Sequence, residues 1–124
     1  MPDTRAKLGD FGEQVAAGYL QRQGYTLVAR KWRCALGELD LVMRDGAALV
    51  FVEVRTRRGQ PGGVAEASVG AAKQARLSAL AYTFLEVHAL PDTTLWRIDV
   101  VAVDVERSGR VARVNHIRDA VEEA

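Results

Sequence analysis

The chemistry of this chain concentrates between Gly37 and Arg57, in the run GELDLVMRDGAALVFVEVRTR. Ala48 to Arg55 is almost continuously apolar, as in a strand covered on both faces. Within it sit a carboxylate, Glu53, and a guanidinium, Arg55. Strand side chains alternate, so these two share a face with Cα atoms about 6.6 Å apart. Glu38 and Asp40 share a face of the preceding run for the same reason. Asp45-Gly46 is a turn signal that joins the two runs, because glycine tolerates positive φ. A hairpin register that sets Asp40 beside Glu53 brings two carboxylates to one point. Buried carboxylates are costly unless paired or metal-bound. A helix-borne acid (Glu13), Asp40 on one strand and Glu53-x-Arg55 on the next describe a divalent-metal site. Carboxylate oxygens suit Mg²⁺ or Mn²⁺. Such a metal lowers the pKa of a bound water and neutralises phosphate charge, and an adjacent cation stabilises the transition state.

These residues need elements to hold them. Leu8 to Gln23 reads as a helix with Leu8, Gly12, Val15, Tyr19 and Leu20 on a broad apolar face, and Gly24 as its stop. Glu13 either faces the sheet from that stripe, complements the helix dipole, or is solvated. Residues 1–7 read as a loose tail. Tyr25 to Cys34 reads as a first strand with poor alternation, suited to an edge. Its Arg30, Lys31 and Arg33 either contact phosphate or protect the edge by charge. Trp32 either packs or stacks on a base, and Cys34 is a small buried side chain. After the hairpin, Thr56 to Ala67 carries three glycines and a proline and reads as a mobile loop. Arg57 and Arg58 open it, to close over a phosphate or to solubilise the loop. Ser68 is a candidate N-cap for a second helix ending near His88. Its expected buried side is Val69, Ala72, Arg76, Leu77, Leu80, Ala81 and Phe84. Lys73 falls on that stripe, where a lysine either snorkels or reaches the acidic cluster. Leu95 to Val105 reads as a fourth strand, Gly109 to His116 as a short fifth, and Ile117 to Glu123 as a weak terminal helix. Helices beside a hairpin-rich sheet make an α/β layered fold, with a crossover through the second helix.

The 124 residues fit one domain, residues 1–124. The formal charge of +1 announces no polybasic surface, but its distribution is uneven. Six Lys/Arg face three Asp/Glu before Gly37, and five face one from Arg55 to Arg76. Between them Glu38 to Val54 holds four acids and one arginine. An acidic centre between basic flanks suits a metal site that faces phosphate; ordinary solvated charge is the bland alternative. One cysteine and two histidines exclude an intrachain disulfide and Cys- or His-rich metal sites. No signal peptide and no membrane-length apolar run is visible, so the default compartment is the cytoplasm. No GxGxxG, P-loop or serine–histidine–carboxylate pattern is present.

The segments GEQVAAGYL around Glu13, GELDLV around Asp40 and FVEVRTR around Glu53, then Lys73 and WRIDVVAVD, resemble the uncharacterised-protein family UPF0102, also called the YraN family. The resemblance runs from Gly9 to about Ala120. It implies the restriction-endonuclease-like, or PD-(D/E)xK, superfamily, similar to archaeal Holliday junction resolvases. The implied fold is an αβββαβ core with a mixed sheet flanked by helices. Asp40 and Glu53 match the metal-binding acids, and Glu13 the helix-borne acid that completes or supports the site. Arg55 occupies the motif lysine position, a departure, because arginine cannot act as a base. It can still orient water or hold a phosphate, and Lys73 can compensate. Asp99 lies in the family-like WRIDV segment without an assigned role.

Two functions follow as expectations. One is a Mg²⁺- or Mn²⁺-dependent DNA endonuclease, selective for branched or junction DNA, with Glu13, Asp40, Glu53, Arg55 and Lys73 in its site. Arg30, Lys31, Arg33, Arg57, Arg58 and Arg76 would contact nucleic acid. Action on four-way junctions needs paired incisions, hence a homodimer. The other is a nucleic-acid-binding protein that keeps the nuclease fold and cleaves weakly or not at all. A protein-interaction role is the third class.

Overall fold

The computed structural model describes residues 4–121. Helix α1 (Thr4–Arg22) leads into strands β1 (Thr26–Cys34), β2 (Gly37–Asp45) and β3 (Ala48–Arg58). A short helix α2 (Val64–Ala67), a long helix α3 (Ala71–Val87), β4 (Trp96–Val105) and β5 (Val111–Ile117) follow. The strands form one mixed sheet in the order β1-β2-β3-β4-β5. Only β3 and β4 are parallel, and the chain between them passes through α2 and α3. The α/β architecture with helices against a mixed sheet is therefore as expected.

Both faces of the central strands are covered, which is why their sequences are apolar throughout. On the α1 side, Ala16, Ala17 and Leu20 pack with Leu41, Met43, Val50, Val52, Val101 and Val103. On the α3 side, Leu77, Leu80, Ala81 and Phe84 pack with Val42, Leu49, Phe51 and Ile98. Trp32 belongs to this second core, its ring edge-on to Phe84 at 5.1 Å, which settles it as a packing residue. Among the described residues, no helix is long and apolar enough to cross a membrane.

Several boundaries differ from expectation. Helix α1 begins at Thr4, so residues 4–7 extend it rather than forming a tail; residues 1–3 lie outside the described residues. It closes through Gly24 at φ 96°, with Tyr25 N–H donating to Leu20 O and Gly24 N–H to Gln21 O, each at 3.0 Å. This is the six-to-one and five-to-two pattern of a glycine-terminated helix, with Leu20 and Tyr25 both buried in one core. Strand β3 runs on to Arg58, and α2 occupies part of the expected loop. Ser68 ends α2 instead of capping α3, whose N-cap is Gly70. Leu77, Leu80, Ala81 and Phe84 are buried as expected, whereas Ala72 and Arg76 fall on the flank of that stripe and are exposed. The chain after β5 turns at Arg118–Asp119 and forms no helix through Val121; Glu122 and Glu123 lie outside the described residues.

Asp99 has a structural partner set. It is fully buried, accepts from Arg97 Nε at 3.0 Å, pairs with His116 Nε2 at 2.7 Å and accepts the Asp119 N–H at 2.9 Å. Arg97 also donates to Tyr25 OH at 2.6 Å. The network ties β4, β5 and Tyr25, in the turn between α1 and β1, together.

Gly12 sets the approach of α1 to β3. A Cβ there would stand 1.8 Å from Thr56 Oγ1, in a buried contact. Gly12→Ala must push the helix off the strand, at a cost of about 1–3 kcal/mol. The melting temperature should fall by roughly 4–12 °C, and Thr56→Ala in the same chain should recover part of the loss. An unchanged melting temperature would show that α1 does not sit as described.

Candidate metal centre

Strand β2 leaves β3 where the acids begin. The ladder runs from Asp45↔Ala48 to Leu41↔Val52 and stops there. Beyond it β2 stays paired with β1 down to Cys34↔Gly37. Side-chain alternation breaks at the same place: Leu41 packs on the α1 side and Leu39 on the α3 side. A fork opens between β2 and β3, and Asp40 fills it. Its Oδ2 accepts the Val54 N–H at 2.8 Å, replacing a ladder bond with a side-chain bond.

Glu53 stands beside Asp40, close enough for its charge to raise the Asp40 pKa. Glu53 is 2% exposed, and its Oε2 takes Arg55 Nη1 at 3.3 Å and Lys73 Nζ at 3.3 Å. Lys73 thus reaches the acidic cluster from α3. Ser68 Oγ accepts from Arg55 Nε at 2.7 Å and donates to Ala65 O, which fixes the guanidinium. Arg55 keeps Nη2 outside these two bonds.

Glu13 enters from α1. It lies in the third turn of that helix and is 6% exposed, so it faces the sheet rather than the helix dipole. One oxygen each from Glu13, Glu38 and Asp40 fall within 4.8 Å of one another. Lys31 Nζ lies 3.1 Å from Glu13 Oε2 and 2.7 Å from Asp10. Arg30 approaches Glu13 at 4.0 Å, and Arg33 Nε donates to Glu38 at 2.8 Å. The three β1 cations are therefore turned toward carboxylates. Arg57 and Arg58 bond backbone carbonyls at the end of β3, and Arg76 is exposed on α3.

The sequence pointed to Glu13, Asp40, Glu53, Arg55 and Lys73, and all five meet at the fork. Glu38 and Ser68 were missed as members of the site. Glu38 shares strand parity with Asp40, a signal that was available. Ser68 read as a helix cap, and nothing local distinguishes a cap from a residue that holds an arginine.

Burial, then the charge and hydrogen bond of Glu53, push the Asp40 pKa up to about 8, against the Val54 N–H, which lowers it. Burial also raises Glu13, opposed by Lys31. Lys31 Nζ also lies 3.1 Å from Glu13 Oε1, whereas Asp40 forms no ion pair among the described residues. An all-oxygen donor set of this charge fits a hard divalent cation.

A pH dependence follows. Asp40 binds its proton up to about pH 8 in the folded chain, against an ordinary value of 3.8. Between these values the folded state holds more protons than the unfolded one, so stability falls as pH rises through the window. One such proton gives a slope of at most about 1.4 kcal/mol per pH unit. Urea unfolding in chelator should therefore show declining stability toward pH 8, and Asp40→Asn should flatten the decline. A wild-type stability that climbs over this range would contradict the protonated Asp40.

The fold and site together define a class: a single mixed sheet whose central fork gathers carboxylates on one level, with cations on both flanks. The chain belongs to the uncharacterised protein family UPF0102, whose profile matches residues 12–103. It is 55% identical over 124 residues to a UPF0102 protein of Roseiflexus castenholzii, covering 100% of both chains. A UPF0102 protein of Chloroflexus aurantiacus is 53% identical over 123 residues, 99% of each chain. One of Pelotomaculum thermopropionicum is 44% identical over 120 residues, 97% of this chain and 99% of its own.

Proposed function

We propose that this protein is a Mg²⁺- or Mn²⁺-dependent endonuclease that hydrolyses DNA phosphodiester bonds, with a restriction-endonuclease-like arrangement of its fold. The observation that carries this reading is the half-buried Asp40 in the fork, with one oxygen within 4.8 Å of oxygens of Glu13 and Glu38 and with Glu53 beside it. Asp40, Glu13, Glu38 and Glu53 would hold the metal. When bound it supplies a polarised water and neutralises the phosphate. Glu53 holds Arg55 and Lys73 against the same point. Arg55 offers Nη2 to a phosphate oxygen, and the Lys73 ammonium adds a second donor. The buried walls of Leu39 and Phe51 limit the water that screens these charges. Water adds to phosphorus, the bond to O3′ breaks, and the products are a 5′ phosphate and a 3′ hydroxyl. Branched or junction DNA is the proposed substrate, a homodimer the form that makes paired incisions, and the cytoplasm the compartment.

One observation favours a second reading, binding without cleavage. Arg55, not lysine, stands beside Glu53, and a guanidinium does not accept a proton. The test is incubation of branched, flapped, single-stranded and duplex DNA with Mg²⁺, Mn²⁺ or chelator. Metal-dependent product supports the nuclease. Salt-sensitive binding with no product under either metal supports the binder.

A further inference from the structure

A trough runs away from the fork on the side of Arg55. It consists of two grooves that meet at Leu8 and Arg58, of about 430 Å³ and 240 Å³. The larger groove is lined by Arg55, Arg57, Arg58 and Arg5, and the smaller by Lys7 and Phe11. Arg57 Nη1 is tethered to Thr56 O at 2.9 Å and Arg58 Nε to Arg107 O at 3.2 Å. Among the described residues neither arginine meets a carboxylate. Their positive charge is fixed in place, and among the described residues no ion pair offsets it, unlike that of the β1 cations. Phe11 presents a 37% exposed aromatic side chain at the far end, on the helix that also carries Glu13.

We propose that this trough holds an unpaired strand of nucleic acid leading away from the fork, with phosphates on Arg57 and Arg58 and a base on Phe11. The proposal rests on the reading of the fork as a phosphodiester site. A row of fixed cations tracks a phosphate backbone, and an aromatic ring stacks on any base without reading its identity. The base must be bare: in a duplex its faces are covered by neighbours. The grooves, of about 430 Å³ and 240 Å³, have small-ligand size and admit separate nucleotides. The preferred substrate therefore has a single-stranded arm at the scissile phosphate.

Fluorescence anisotropy in chelator tests this without cleavage. The probes are labelled oligothymidylate, oligouridylate of equal length and a blunt duplex, with heparin as competitor. Wild type should bind oligothymidylate at least about 10-fold more tightly than duplex. Phe11→Ala should weaken the single strand about 10-fold and leave the duplex unchanged, while Phe11→Trp should restore it. Arg58→Ala should reduce the salt slope for the single strand by about 0.7. Tighter oligouridylate binding with the same Phe11 dependence keeps the proposal and makes RNA the source. Equal binding of duplex and single strand, or displacement by heparin with no effect of Phe11→Ala, would overturn it. Cleavage by the same preparations separates the two readings. Asp40-dependent cleavage with Phe11-independent binding removes the trough alone; Phe11-dependent binding without any cleavage removes the nuclease alone.

Discussion

Asp40→Asn should lower single-turnover cleavage with Mn²⁺ or Mg²⁺ by about 1,000-fold or more, the scale on which loss of one aimed electrostatic contact acts. The change is almost isosteric. An asparagine oxygen can still accept the Val54 N–H, so the fork should keep its shape. What is lost is the negative charge that Asp40 takes on when a cation displaces its proton. The same substitution removes the group whose ionisation is opposed by burial and by Glu53. The metal-free variant should therefore be at least as stable as wild type at pH 8. A variant that is inactive and fully folded separates chemistry from folding. Retained cleavage would place the reaction elsewhere. Metal binding by wild type should strengthen as pH rises toward about 8, because the cation must displace the Asp40 proton.

The second large effect is expected at Arg55. Its Nη1 bond to Glu53 and Nε bond to Ser68 fix the guanidinium beside Glu53. Arg55→Ala should reduce single-turnover cleavage by about 100- to 1,000-fold, as removal of one pre-positioned donor does. Arg55→Lys separates two roles. If Arg55 acts as a clamp on phosphate, lysine keeps a cation there and cleavage stays within about 10-fold of wild type. If a neutral amine is needed, wild type is nearly inactive and Arg55→Lys raises the rate. Lys73 is the one other cation on Glu53 among the described residues, so Lys73→Met should deepen the defect of Arg55→Ala. Equal rates for wild type, Arg55→Lys and Arg55→Ala would remove Arg55 from the site.

Much of this site could be read from strand alternation. Glu53 and Arg55 are two residues apart, and period two places them together; Asp45-Gly46 fixes the hairpin that brings Asp40 to Glu53. Sequence alone leaves Lys73 between snorkelling and reaching the acids, and the 3.3 Å contact of its Nζ with Glu53 decides it. The fork itself was not legible. It arises because β2 gives up its bonds to β3 at Asp40, and no residue there is a glycine or proline to announce the break. The exposure of Arg76 has a different cause. Arg76 sits about a quarter turn from the centre of the buried stripe Leu77, Leu80, Ala81 and Phe84, on its solvent flank. Asp99 needed partners from β5 and from the turn after it, contacts that no local pattern predicts.

The most direct measurement is anomalous diffraction from crystals soaked in Mn²⁺. The account predicts a peak in the fork, within bonding distance of Asp40 and at least one of Glu13, Glu38 and Glu53, with Arg55 and Lys73 beside it. The peak should vanish in Asp40→Asn. No peak at saturating Mn²⁺, or a peak away from the fork that persists in Asp40→Asn, would contradict the metal centre and with it the proposed hydrolysis.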